Sequence, residues 1–271
     1  MLKQRIITAV ILGSLMVLAI FKLPNSLVTV IFAGITLIGA WEWSTLIGAK
    51  TNLKKLLYVV LIGIFISVIW FFVKPEQEKL ILLIASLWWV GVAFLLILYK
   101  SDWLQSIRLQ KLLECSGLIV LVPAWLALKM LHQQSPAMLM FLLALIWVAD
   151  ISAYFVGKRF GKKKLATELS PGKSREGVYG ALIATVLMAY IGVQLFAIDK
   201  QIWIYFIGLC VFIALISVVG DLYESLLKRK AGAKDSGTIL PGHGGVLDRI
   251  DSLTAAAPGY VLGLSWLCID C

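Results

Sequence analysis

Leu80 to Tyr99 is a run of twenty residues without one charged side chain. Wound as a helix at 1.5 Å per residue it is ~30 Å long, the thickness of a bilayer's hydrocarbon core. Comparable runs recur along the whole chain, and none alternates with the two-residue period of a membrane strand, which predicts helices rather than a barrel. Nine spans are expected, over residues 6–22, 27–48, 56–73, 80–99, 112–131, 137–157, 177–198, 202–220 and 253–269. Composition agrees: 61% of the 271 residues are hydrophobic and 15% charged, where a soluble domain averages about 45–50% and about 25%. The expected fold is an all-α polytopic membrane protein. It forms a single membrane-embedded domain over 1–271, because no repeat, low-complexity tract or long linker divides it. MLKQR followed by an apolar run has the outline of a signal peptide, but no small-residue cleavage site follows, so an uncleaved first helix is expected.

Lysine and arginine orient such a bundle, because cytoplasmic loops carry the positive excess. With nine spans, twenty of the 25 basic residues fall on one side and five, Lys22, Lys74, Lys79, Lys129 and Lys200, on the other. That places the N-terminus in the cytoplasm and the C-terminus outside. The net charge of +10 then reflects topology, and no nucleic-acid partner is expected. Of the four cysteines, Cys268 and Cys271 form a CxxC with no second pair to complete a zinc site.

Two cytoplasmic segments, flanking the seventh and eighth spans within 150–251, hold more than anchoring charge. The first is ADISAYFVGKRFGKKKLATELSPGKSREG, residues 149–177. Asp150 lies ~21 Å along its helix from the outer end, and Tyr154 and Gly157 share its face. An intramembrane carboxylate is expensive and usually lines a cavity or meets a partner. GKS in SPGKSREG has the tail of a phosphate-binding P-loop, but the glycine required five residues before Gly172 is Thr167. Glu42, in GAWEWSTL, is flanked by Trp41 and Trp43, as a carboxylate snorkelling at an aromatic belt would be.

The second segment begins at VVGDLYESLLKRK, where Asp221, Glu224, Ser225 and Lys228 form one helical face. It continues as KRKAGAKDSGTILPGHGGVLDRID, residues 228–251. The glycines suit close backbone approach to phosphate. Asp248 and Asp251 share a face if the last helix begins early. Clustered carboxylates invite a hard divalent cation such as magnesium, and Lys228, Arg229, Lys234 and Arg249 suit phosphate oxygens. Phosphoryl or nucleotidyl transfer between a cytosolic nucleotide and a lipid follows from that combination.

The segment from Ser225 to Asp251 resembles the signature of the phosphatidate cytidylyltransferases (CDP-diacylglycerol synthases), through Ser225, Lys228, Arg229, Lys234, Asp235, Pro241, His243, Gly244, Gly245, Asp248, Arg249 and Asp251. The upstream DxxAYxxGK (Asp150, Tyr154, Gly157, Lys158) and SPxKSxEG (Ser170, Pro171, Lys173, Ser174, Glu176, Gly177) look like the same family, with Gly172 and Arg175 as departures. The resemblance implies that phosphatidate attacks the α-phosphorus of CTP, giving CDP-diacylglycerol and pyrophosphate. It implies magnesium, as one or two cations, on Asp221, Asp248 and Asp251. Lys228, Lys234, His243 and Arg249 are implied as catalytic, and Asp150, Tyr154, Lys158, Ser170, Lys173, Ser174 and Arg229 as substrate-binding. It further implies a homodimer in a bacterial inner membrane, with the site facing the cytoplasm. Two other classes fit the sequence less well. A transporter would show inverted repeats and broken helices, and a CDP-alcohol phosphotransferase would place DG and AR beside its aspartates; the sequence has neither.

Overall fold

In the computed structural model the apolar runs become, among the described residues, nine α-helices, together with one β-hairpin. The structure describes residues 2–99, 106–239, 242 and 244–266, with backbone alone for 2–9. The helices are α1 (Leu2–Lys22), α2 (Asn25–Leu46), α3 (Asn52–Phe72), α4 (Pro75–Ile97), α5 (Ile107–Gln134), α6 (Pro136–Phe160), α7 (Arg175–Leu195), α8 (Trp203–Lys230) and α9 (Leu247–Trp266). Each expected span lies on one of them. Seven, α2 to α8, are long and apolar enough to cross a membrane. In α9, Asp248, Arg249 and Asp251 occupy the opening turns and lower its hydropathy.

Burial separates lining helices from interior ones. α3 buries only Ile62, Ile66 and Ile69, a single stripe at helical spacing, and turns Leu56, Leu57, Phe71 and Phe72 outward. Water would not tolerate so much contiguous apolar surface; lipid does. α5 is buried on nearly all sides from Val120 to Leu128, as expected of an apolar helix inside a bundle. α9 is the other interior helix and packs against α2, α4, α5, α6 and α8.

Small residues set how closely α9 approaches α8. Ala255, Ala256 and Ala257 are buried at the contact, and a Cβ on Gly220 would stand 2.6 Å from the Asp251 carbonyl oxygen and 2.8 Å from the Ala255 Cβ. Only glycine lets α8 pass here. Below this crossing, Tyr223 sits among Trp43, Trp88 and Trp89, with ring centroids 5.7–6.3 Å away. Its hydroxyl donates to Ser116 Oγ at 2.7 Å. Such a buried aromatic knot fixes the C-terminal part of α8 against α2, α4 and α5.

A feature with no counterpart in the sequence reading is the hairpin of β1 (Lys164–Ala166) and β2 (Ser170–Ser174), paired antiparallel. It links α6 to α7. Ser174 ends β2 and caps α7, its hydroxyl accepting the Gly177 N–H at 3.1 Å.

Candidate active site

One end of the bundle collects the C-terminal ends of α2, α6 and α8, the beginnings of α7 and α9, the hairpin, and the segment joining α8 to α9. Two lysines organise it. Lys173, on β2, meets Asp221 of α8 at 2.6 Å. Lys228, in the last turn of α8, meets Asp248 of α9 at 2.8 Å and Glu224 at 3.2 Å. Asp251 interacts electrostatically with Asp221, Lys173 and Glu224. Asp150, on α6, does so with Lys173 and Asp221. Five carboxylates from three helices thus gather around two ammonium groups.

The segment before α9 is held by carboxylates as well. Asp248 Oδ2 accepts the Ser236 N–H (2.9 Å), the Ser236 hydroxyl (3.0 Å) and the Gly245 N–H (2.8 Å). Glu42, from α2 and 2% exposed, accepts the Ser236 hydroxyl (3.0 Å), the Val246 N–H (3.0 Å) and the Leu247 N–H (2.7 Å). A helix N-terminus is a natural anion site, with unpaired N–H groups and a favourable dipole. Here the protein's own carboxylates fill it. The expectation that this glycine-rich stretch offers its backbone to phosphate is therefore not met at Ser236, Gly245, Val246 or Leu247, whose N–H groups are already spent. Gly245 serves another purpose: a Cβ there would stand 2.5 Å from Glu42 Oε2.

Profile comparison assigns this architecture. The cytidylyltransferase family matches residues 3–267. The chain belongs to that family. Among similar proteins are the phosphatidate cytidylyltransferase of Pseudomonas aeruginosa, 39% identical over 98% of this chain and 97% of that protein, and that of Haemophilus influenzae, 38% identical over 96% and 97%. The protein of the same name from Bacillus subtilis is 30% identical over 95% of each chain.

Within this cytidylyltransferase fold the expected site residues divide. Asp150, Lys173, Asp221, Lys228, Asp248 and Asp251 converge. Lys234 and Arg249 are exposed near them, and Lys234 has no ion-pair partner among the described residues. Ser174, expected at substrate, is buried as the cap of α7. Arg229 donates to the Leu169 carbonyl at 3.2 Å, tying α8 to the hairpin turn. Lys158 lies over the Tyr154 ring, 5.7 Å from its centroid, on the outward face of α6. Ser170 is half-buried at the start of β2. His243 and Pro241 lie outside the described residues, as do Cys268 and Cys271.

Two members were missed. Glu42 does not snorkel; it is buried and structural to the site. Glu224 was noted on a polar face and left unassigned, yet it is 2% exposed and its Oε1 is buried without a hydrogen-bond donor. The cost of an intramembrane carboxylate, which usually lines a cavity or meets a partner, was the available signal for the first.

Among the described residues no three His, Cys, Asp or Glu side chains form a ready metal cage. The reason is visible in the ion pairs: Lys173 and Lys228 stand where cations would neutralise the carboxylates, and all of Asp248 is engaged. The donor chemistry nonetheless suits a hard divalent cation. Asp221 and Asp251 offer carboxylate oxygens beside the orphaned Glu224 Oε1, and a buried carboxylate oxygen without a partner calls for a proton or a cation.

Proposed function

We propose that this protein transfers the cytidylyl group of CTP to phosphatidate, releasing pyrophosphate and forming CDP-diacylglycerol. The observation that carries the reading is the near full-length likeness to proteins named phosphatidate cytidylyltransferase, in a chain that gathers lysines and carboxylates at one end of an apolar bundle. An oxygen of the phosphatidate monoester attacks the α-phosphorus of CTP. The bond from that phosphorus to the β-phosphate oxygen breaks, and its electron pair leaves with pyrophosphate. A phosphate monoester has a second pKa of ~6, so its nucleophile is already charged near neutral pH. No strong base is required. The enzyme's task is to bring two anions together and stabilise the departing one.

Lys173 and Lys228, with exposed Lys234 and Arg249, are the residues assigned to phosphate oxygens. In the structure the first two rest on carboxylates. Magnesium would be held by Asp221 and Asp251 with Glu224 beside them, and by Asp248 once its pairing with Lys228 is released; bound there, it would neutralise charge building on the leaving pyrophosphate. Asp150 and Ser170 are assigned to the wall of the substrate cleft, and Tyr154 and Lys158 to its lipid-facing margin.

The reading extends to topology. All nine helices, α1 and α9 included, cross the membrane, with the site facing the cytoplasm where CTP is found, in a bacterial inner membrane. The fourfold excess of lysine and arginine on that side supports it. The homodimer rests on family likeness alone.

The deciding experiment is incubation of the detergent-purified protein with phosphatidate and labelled CTP, followed by lipid extraction. Labelled CDP-diacylglycerol and equimolar pyrophosphate are expected. Folded protein that yields neither, with several divalent metals tried, would overturn the reading.

A further inference from the structure

At the end of the bundle opposite Lys173 and Lys228, a cleft of about 500 Å³ with a mixed polar and apolar lining opens between the start of α4 and the ends of α5 and α9. Lys79, Gln133, Gln134 and Ser265 supply its polar lining. Glu78, also on its wall, is neutralised by Lys129 at 2.6 Å. Lys79 and Gln133 are exposed and Gln134 is half-buried; none has a hydrogen-bond or ion-pair partner among the described residues, so one cation and two amides face the opening of the cleft. The cleft does not end there. Lys79, Leu262 and Ser265 also line a smaller hollow that includes Leu83 and Trp266. Leu83, Leu262 and Trp266 in turn border an apolar trough of about 440 Å³ between α4 and α8.

The trough runs toward the middle of the bundle along α9. Its walls are Leu83, Leu87, Leu209 and Phe212, and its floor is made low by Gly208, Gly259 and Gly263. The floor is locked: a Cβ on Gly263 would overlap the Leu209 side chain, and the Tyr205 hydroxyl donates to the Gly263 carbonyl at 3.3 Å. A cleft carrying a lysine and two amides thus adjoins an open apolar trough, the two sharing Leu262 in their walls. Asp248 and Ser265 lie on the same helix, ~25 Å apart along its axis. The two sites therefore occupy opposite ends of α9, and this pocket is remote from the proposed chemistry.

We propose that this face is a second lipid site, which binds a phospholipid with its phosphodiester against Lys79, Gln133 and Gln134 and one acyl chain in the trough over Gly208 and Gly259. Charge complementarity favours that occupant. The phosphodiester carries one negative charge, the cleft one unneutralised ammonium, and the amides supply the further donors that a phosphate's oxygens accept. A transmembrane helix of another protein would fill the trough but bring no anion to the lysine. Trp266, 66% exposed at the junction of cleft and trough, is placed as an interfacial aromatic against the headgroup region.

Native mass spectrometry of the detergent-purified full chain tests this, with phosphatidylglycerol, phosphatidylethanolamine, diacylglycerol and inorganic phosphate as probes. Two variants address the two halves. Lys79→Gln removes the cation; Gly208→Leu fills the trough from a position whose new Cβ meets nothing within 4 Å, so the fold is spared. The wild type is expected to retain one phospholipid of either headgroup, and each variant to lose roughly tenfold in affinity, the size expected for one charged hydrogen bond or one filled subsite. Melting temperature and CTP turnover should be unchanged in both. Equal retention of diacylglycerol would remove the phosphate from the argument. Binding of inorganic phosphate at the same strength would reduce the site to a bare anion pocket. Variants that bind lipid like the wild type, or a Gly208→Leu change that alters oligomeric mass instead of lipid retention, would overturn the proposal.

Discussion

The Glu42 carboxylate accepts the Leu247 backbone N–H at 2.7 Å, joining residues 205 positions apart at the first turn of α9. The same carboxylate accepts from Val246 and Ser236, so one side chain of α2 fixes both the entry into α9 and the stretch before it. Asp248 repeats the device from inside α9. The position of the lysine–carboxylate group therefore depends on a residue far outside the polar segments that announce it.

Replacing Glu42 with glutamine keeps the shape but turns an acceptor oxygen into an NH2 group facing N–H donors. Loss of a charged cap and one unsatisfied buried donor together cost about 2–4 kcal/mol. A lower melting temperature and at least tenfold lower kcat are expected, with Glu42→Asp recovering part of both. Wild-type melting and turnover in Glu42→Gln would show that the cap does not matter.

Lys173 and Asp221 are each more than a quarter exposed, so their pairing adds under ~1 kcal/mol to stability. Lys173→Met and Asp221→Asn should each leave the melting temperature nearly unchanged while lowering kcat/KM by about a hundredfold or more. A double-mutant cycle measures whether they act as a unit; a double variant no slower than the worse single one is expected. Losses confined to stability would remove the pair from the active site.

Asp248→Asn breaks the contact with Lys228 and disturbs three further hydrogen bonds. Turnover should be abolished while the protein still elutes as a folded species on size exclusion. Wild-type activity would remove Asp248 from the site.

Gly220→Val should fail for a different reason. Its side chain would push α8 off the Asp251 carbonyl and Ala255, at a cost of about 1–3 kcal/mol for overpacking, and activity should fall with melting temperature. An unchanged melting temperature would mean that the helices part easily.

Chelation tests the cation directly. EDTA should stop CDP-lipid formation, and added magnesium should restore it within the assay. Full activity after exhaustive chelation would exclude a divalent cation at Asp221 and Asp251.

The sequence by itself determined the helices and their places, because twenty charge-free residues in lipid leave the backbone no alternative to bonding within the segment. It also marked the family, through motifs at fixed spacing between Asp150 and Asp251, and left open whether α9 begins early enough to bring Asp248 and Asp251 onto one face. Tertiary structure alone decided who meets whom. Periodicity reports which face of a helix is polar, but not that Lys228 turns to Asp248 of another helix, that Ser174 is used up as a cap, or that the glycine-rich backbone is spent on the protein's own carboxylates. Glu42 shows the limit most clearly. Its neighbours in sequence are tryptophans, its partners in space lie about two hundred residues away, and no local pattern records a hydrogen bond that forms only when α2 and α9 pack.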